Sequence, residues 1–392
     1  MQSLSAAHAI QGQLIAWRRD FHMHPELGLE EHRTAGIVAE TLRELGYAVQ
    51  TGIAETGVVG LLENGPGPVI MSRVDMDALP IQEETGLPYA SRTPGLMHAC
   101  GHDAHIAIGL GVARVMAEHR DAWRGTLKLI FQPGEEGMNG AELMVEQGVL
   151  ENPRPDAALA VHVWNVMPVG TFGAAVGPVM AAAESWKAVI QGKGGHAAHP
   201  EYTVDPVVTA ALTVANLQTV VSRNVAARDT AVVTVGALLS GEAFNVIPDT
   251  AELRGTIRTF DAAARETVIR RTREVIEGTA RMMGAEVAFE LKPLTPAVVN
   301  APEVTRLVQD VITDLFGAHA VDADERTMGS EDAAFFLQEV PGCYLFIGSQ
   351  MPGRDPLSHH NPRFDIDEGA LVNGTAVIVE ALRRLMPPSP EA

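Results

Sequence analysis

Apolar residues fall in two alternating rhythms over the first half of the chain. The run 33–47, "RTAGIVAETLRELGY", spaces them at helical intervals and stops at Gly46. The run 67–79, "GPVIMSRVDMDAL", begins as a continuous apolar strand before turning polar. Helical spacing returns over 103–120, where Asp103 is the expected N-cap. A strand over 125–136 runs into a Pro-Gly turn, a short helix covers 140–150, and a buried strand covers 156–164. Strands that alternate with helices predict a mostly parallel α/β sheet with flanking helices.

From about residue 183 the pattern changes. A strand begins with "ESWKAVIQGKG", and a helix follows over 205–223 with Asp205 as N-cap and Pro206 at its first position. Strands over 230–240 and 250–260, a helix over 261–284 closed by Gly284, and a strand over 285–293 complete a β-α-β-β-α-β order. That order suits a ferredoxin-like unit. The α/β rhythm then resumes, with helices near 302–316 and 331–339, the strand "GCYLFIGSQ" and a closing helix over 367–385. The expected architecture is one α/β domain in two pieces, 1–182 and 296–392, interrupted by an α+β domain at 183–295. The terminal "PPSPEA" is expected to fray.

Composition narrows the classes. Of 392 residues, 46% are hydrophobic and 20% charged, enough for a sizeable core. The net charge of −20 disfavours nucleic acid and anionic membrane as partners. Two cysteines, Cys100 and Cys343, cannot staple a chain of this length, which points to a reducing compartment. The opening residues lack a basic, then apolar, leader pattern, and no apolar run is long enough for a membrane span. A cytoplasmic location is expected.

The polar chemistry sits where strands end. "SRVDMD", "CGHD", "GEE", "HVW" and "SHHNP" each end or follow a predicted strand or open a predicted helix. Ligands of open α/β sheets bind beyond the carboxyl ends of the strands. Cys100 and His102, two residues apart in a loop, can project to one side and grip an ion. The helix starting at Asp103 would aim its positive end at that site and favour a thiolate. Taken alone, each segment has a plainer reading. Cys-x-His fits a structural cysteine beside a surface histidine equally well, and Glu135-Glu136 fits a solvated acidic turn better. His162 alone suits a satisfied core histidine, and His359-His360 an exposed pair. Four ligand-bearing segments at the correct strand ends make coincidence the poorer account.

The same stretches resemble the aminoacylase-like metallopeptidases and amidohydrolases, in the branch of hippurate hydrolases and auxin–amino acid conjugate hydrolases. The likeness is carried by 18–35, 72–83, 98–105 ("HACGHDAH"), 131–137 ("FQPGEEG"), 192–200, 244–258, 328–336 and 359–365. It implies two divalent metal ions held by Cys100, His102, Glu136, His162 and His360, with His360 chosen over His359 on the pattern His-x-Pro. Zinc or manganese would serve, and nickel or cobalt are possible. The resemblance makes Glu135 the general base and the inserted domain a lid and dimerisation domain, giving a homodimer or homotetramer. In that domain, His196 resembles a residue that stabilises the polarised carbonyl, from its own or a partner's subunit. Asn245 and Arg258 resemble residues that hold a substrate carboxylate. The wider family carries His-x-Asp on the second strand and an aspartate ligand. Here Arg73-Val74-Asp75 stands instead, Cys100 replaces the lost ligand, and Asp75, Asp77, His98 and His105 are expected to support rather than bind.

The implied activity is hydrolysis of the amide bond of a small N-acyl-amino acid by a metal-activated water. A di- or aminopeptidase activity is the alternative on the same fold. A thiol hydrolase using Cys100 ranks lower, because "CGHD" is no nucleophile elbow. A non-catalytic binding protein would have no need of Glu135 as a free base. "GKGG" at 192–195 lacks the spacing and the following helix of a phosphate loop.

Overall fold

The computed structural model describes residues 3–388 other than 354; residues 389–392 of the expected frayed end lie outside the described residues. The chain forms two compact units. The larger holds the chain up to Val179, Val298–Arg326 and the chain from Asp332 onward; the smaller holds Met180–Ala297 and Thr327–Glu331. The short run 327–331 thus groups with the insert although it lies far outside it in sequence.

The larger unit is built on an eight-stranded sheet in the order Ala48–Ile53, Gly57–Asn64, Gly125–Gln132, Val69–Asp75, Ala157–Pro168, Gly342–Gln350, Phe172–Gly173, Val321–Asp322. The middle of the sheet is parallel: Val69–Asp75 pairs in parallel with both Gly125–Gln132 and Ala157–Pro168, and Gly342–Gln350 extends this. These strands are buried along nearly their whole length, as strands covered on both faces must be. The edge is antiparallel, because Gly57–Asn64 pairs antiparallel with both Ala48–Ile53 and Gly125–Gln132.

The helix His102–Glu118 is apolar almost all round, and residues on every side of it are buried. It packs against Gln11–Met23 and Gly369–Leu385 as well as the strand Val69–Asp75. Its N-terminus therefore begins deep in the unit, next to the carboxyl ends of the parallel strands.

The smaller unit has a four-stranded antiparallel sheet in the order Ala231–Leu239, Thr250–Thr259, Ala182–Gln191, Glu286–Thr295. The helices Pro206–Asn224 and Ala262–Met282 pack on each other and on these strands. Its β-α-β-β-α-β order is the ferredoxin-like one. The Asp205 carboxylate caps the first helix by accepting from the amides of Val207 and Val208, with Pro206 inside the first turn. Gly284 ends the second helix in a left-handed conformation, φ +73°.

Candidate metal centre

The site is assembled around a turn at Gly101. Its φ of +89° is left-handed, and a Cβ there would lie 2.3 Å from Val163 Cγ2. Only glycine meets both conditions. Cys100 and His102 converge because of this turn. The expected N-cap is also corrected: Gly101 holds that position and Asp103 lies inside the first turn. The Asp103 carboxylate is engaged by Arg18 Nε at 2.8 Å and His22 Nδ1 at 2.8 Å. A buried guanidinium from a distant helix outcompetes the local backbone amides.

The histidines are sorted by what their other ring nitrogen does. His102 donates from Nδ1 to the Asp77 carbonyl at 2.8 Å, and its Nε2 is buried with no hydrogen-bond partner among the described residues. His162 donates from Nδ1 to the Val163 carbonyl at 2.7 Å, leaving Nε2 3.5 Å from Cys100 Sγ. His105 uses both nitrogens: Nδ1 donates to Asp75 at 2.5 Å and Nε2 accepts from the Val163 amide at 2.8 Å. His360 Nε2 lies 3.1 Å from Glu136 Oε1. His359 instead donates from Nε2 to the Val163 carbonyl at 2.9 Å and stacks on Trp164.

Overlapping groups result among the described residues, including Cys100–His102–His162, Cys100–Glu136–His360, His102–Glu135–Glu136 and Asp75–His102–His105, each with its ligand-type atoms within 4.8 Å of one another. Glu135 and Glu136 sit on the turn after Gln132, where Gly134 is left-handed at φ +59°. Asp77 joins two of the segments. One carboxylate oxygen accepts from the Glu136 amide at 2.9 Å while the other lies 3.2 Å from His102 Nδ1.

The electrostatics favour positive charge. Burial opposes protonation of His102, yet Asp75, Asp77 and Glu136 outweigh it and raise its pKa to about 10. Burial first, then Glu136, Glu135 and Asp75, push the Cys100 thiol well above its ordinary range. The expectation that the helix end alone would favour a thiolate is therefore reversed. His162 is held neutral by burial and by the neighbouring His105 and His359. The residues fit divalent cations: an unpartnered buried imidazole nitrogen, a neutral imidazole, a thiol and surplus carboxylate face one volume.

Sequence reasoning did not single out a buried network beneath the site. Arg73 Nε donates to Gln132 Oε1 at 2.7 Å and its Nη1 to Asp75 at 3.0 Å, while Gln132 Nε2 donates to Asp332 at 2.6 Å. Arg73 and Gln132, both in apolar strands, were the available signal.

In the smaller unit, His196 lies on the short strand Gly195–His196, paired with Val246 beside Asn245, and is exposed. Its Nδ1 accepts from the Ala198 amide at 3.0 Å. Arg258 sits on Thr250–Thr259 opposite Ala183, with Nη1 buried and without a hydrogen-bond partner among the described residues. The strand from Thr250 to Arg258 spans roughly 26 Å. His196 and Asn245 belong at its Thr250 end, since Gly192 and Gly194 bond to Asp249 at 2.8 Å each. Within this unit Arg258 is thus remote from the other two.

Residues 71–384 match peptidase family M20/M25/M40. The chain is 40% identical to the IAA-amino acid hydrolase ILR1-like 4 of Arabidopsis thaliana over 369 residues, 93% of this chain and 83% of that protein. It is 39% identical to the N-acetyl-L-cysteine deacetylase of Bacillus subtilis over 386 residues, 98% of this chain and 90% of the other. The crystal structure of the YXEP protein of Bacillus subtilis, a dinuclear metal binding peptidase of the M20 family, superposes with a TM-score of 0.85 at 35% identity, covering 97% of this chain and 99% of that one. A family match over most of the chain, with ligand-bearing loops at the carboxyl ends of a parallel sheet, establishes that the chain belongs to the peptidase family M20/M25/M40.

Proposed function

We propose that the protein is a metal-dependent amidohydrolase that cleaves N-acyl-amino acids, with Glu135 as general base. Membership of the family gives the class, hydrolysis of amide bonds. The observation that carries the finer reading is the meeting of Cys100, His102, Glu136, His162 and His360 in overlapping groups with Glu135 beside them. Bound there, two divalent ions would supply an acidic water and an electrophile for the amide carbonyl. The mixed thiol, imidazole and carboxylate set suits zinc or manganese, with nickel or cobalt as substitutes.

Glu135, next to a ligand but on a separate side chain, takes the proton of the attacking water and delivers it to the leaving amine nitrogen. Arg258 pairs with the carboxylate of the amino-acid half, assisted by Asn245, and His196 donates to the developing oxyanion. The separation of Arg258, near one end of the strand Thr250–Thr259, from His196, beyond its other end, supports a homodimer or homotetramer through the inserted domain, with His196 and Asn245 serving a partner's site. We place the enzyme in the cytoplasm. Both cysteines are unpaired and buried, and no helix among the described residues is long and apolar enough to cross a membrane.

The test is Glu135→Ala assayed with zinc- or manganese-loaded protein on hippurate, N-acetyl amino acids, indole-acetyl amino acids and dipeptides. Turnover should fall by about 10²–10⁴ with metal content unchanged. Near-normal hydrolysis would refute the role of Glu135. Preference for dipeptides over all acyl amino acids would shift the reading to a peptidase, and full activity in the presence of a chelator would remove the metal from it.

A further inference from the structure

The stretch 18–31, "RRDFHMHPELGLEE", holds no residue of the metal or substrate machinery proposed above, yet it touches several ligand-bearing segments. Arg18 is fully buried on the helix Gln11–Met23. Its Nε donates to Asp103 at 2.8 Å, its Nη2 to Asp365 at 2.9 Å and its Nη1 to Glu368 at 3.3 Å. Asp103 adjoins His102, and Asp365 lies five residues beyond His360, whose amide donates to the Ala99 carbonyl at 2.8 Å. One guanidinium therefore spans the Cys100–His102 loop and the His360 loop. Farther along, the Glu26 carbonyl accepts from the Ala78 amide at 2.8 Å, beside Asp77. Glu31 Oε1 accepts from the Gly134 amide at 2.8 Å, and its other oxygen accepts from the Thr56 hydroxyl. A Cβ on Gly28 would lie 2.9 Å from Gly134 Cα, so the approach of this segment to the turn requires glycine.

We propose that residues 18–31 are a positioning brace for the centre: Arg18 fixes the Cys100–His102 and His360 loops relative to each other, and Glu31 with Gly28 sets the turn that presents Glu135. The proposal rests on the metal-centre reading above. The two arms have separate signatures. Arg18 governs how well ligands from two loops meet, which is an affinity for metal. Glu31 governs the placement of the base, which is a rate on bound substrate. Supporting groups of this kind typically change metal affinity or activity by about 10–100-fold.

The experiment compares wild type with Arg18→Met, Arg18→Lys, Glu31→Ala and Glu31→Gln. Metal-stripped full-length protein is titrated with cobalt(II), read by the thiolate–cobalt absorption of Cys100 and by competition with a chelator. Saturated protein is then assayed for kcat and KM on whichever acyl amino acid the wild type hydrolyses, and melting temperatures are recorded. Arg18→Met should weaken cobalt binding by about 10-fold or more. Arg18→Lys should recover the melting temperature more than the affinity, because a single ammonium cannot span Asp103 and Asp365 as a planar fork does. Glu31→Ala should lower kcat by about 10-fold or more with KM and cobalt affinity unchanged. Glu31→Gln should restore kcat, since its amide oxygen can still accept from the Gly134 amide. Variants that lose melting temperature but keep wild-type cobalt affinity and kcat would overturn the brace, as would a Glu31→Gln no better than Glu31→Ala. If Arg18→Met does not fold, Arg18→Lys with wild-type cobalt affinity overturns that arm. Wild type without thiolate–cobalt absorption would instead sink the metal-centre reading and the brace with it.

Discussion

Replacing Glu31 by glutamine should change how stability depends on pH, in a calculable direction. Glu31 is fully buried. Burial raises its carboxyl from 4.5 to about 7; Asp77 adds to the rise, and the hydrogen bonds from Thr56 and Gly134 oppose it. The folded state therefore holds the proton more tightly than the unfolded chain. For a carboxyl raised in this way, the linked stability is complete below about pH 4.5 and is lost as pH climbs through 7. At about 1.36 kcal/mol per unit, the loss comes to roughly 3 kcal/mol. Glutamine cannot ionise, so the variant escapes it. The difference in unfolding free energy, variant minus wild type, should rise by roughly 3 kcal/mol between pH 4.5 and 7 and then level off. Urea unfolding in chelator, followed by tryptophan fluorescence in a Trp186→Phe background, measures this, because the other three tryptophans, Trp17, Trp123 and Trp164, lie in the larger unit. A difference that stays flat across the range would show that Glu31 ionises as freely folded as unfolded.

Two further substitutions probe the surroundings. Gly101→Ala would force a left-handed alanine, at about 1–2 kcal/mol, and drive its Cβ into Val163; cobalt titration should show weakened binding even where circular dichroism shows a folded chain. His98 is buried, and burial lowers its pKa from 6.5 to about 4. Its contribution is complete above 6.5 and fades as pH falls toward 4. His98→Phe should therefore flatten the acid limb of stability by up to roughly 3 kcal/mol, and an unchanged limb would count against the argument.

How far the sequence could be read depended on how local each determinant was. The helix Pro206–Asn224 was legible because its cap, Asp205, bonds only two and three residues ahead. The same rule failed at Asp103, because its partner Arg18 is 85 residues away and no window shows the competition. The edge strand Ala48–Ile53 and its neighbour Gly57–Asn64 were not legible; the first is largely exposed and has no clean alternation to report. The ligand segments were visible because strand ends can be located from apolar runs, and titratable residues beyond them stand out. Arg73, Gln132 and Asp332 were not visible as a connected support, since their pairing arises only when two strands and a distant loop meet.

The reversal at Cys100 follows from comparing magnitudes. A helix N-terminus offers the equivalent of roughly half a positive charge, shared among several amides. Against it stand burial and the carboxylates of Glu136, Glu135 and Asp75, each able to carry a full negative charge. The half charge loses, so the protein alone keeps the sulfur protonated. The same field that suppresses the thiolate raises His102 to about 10, which marks where positive charge is most strongly favoured. A thiol nucleophile would need the opposite arrangement, a cationic surround that lowers the thiol pKa. A divalent cation satisfies both demands at once, because a coordinated thiol is deprotonated outright and the surplus carboxylate is neutralised. The placement of Glu135 beside this cluster therefore favours the proposed water activation over attack by the Cys100 thiol.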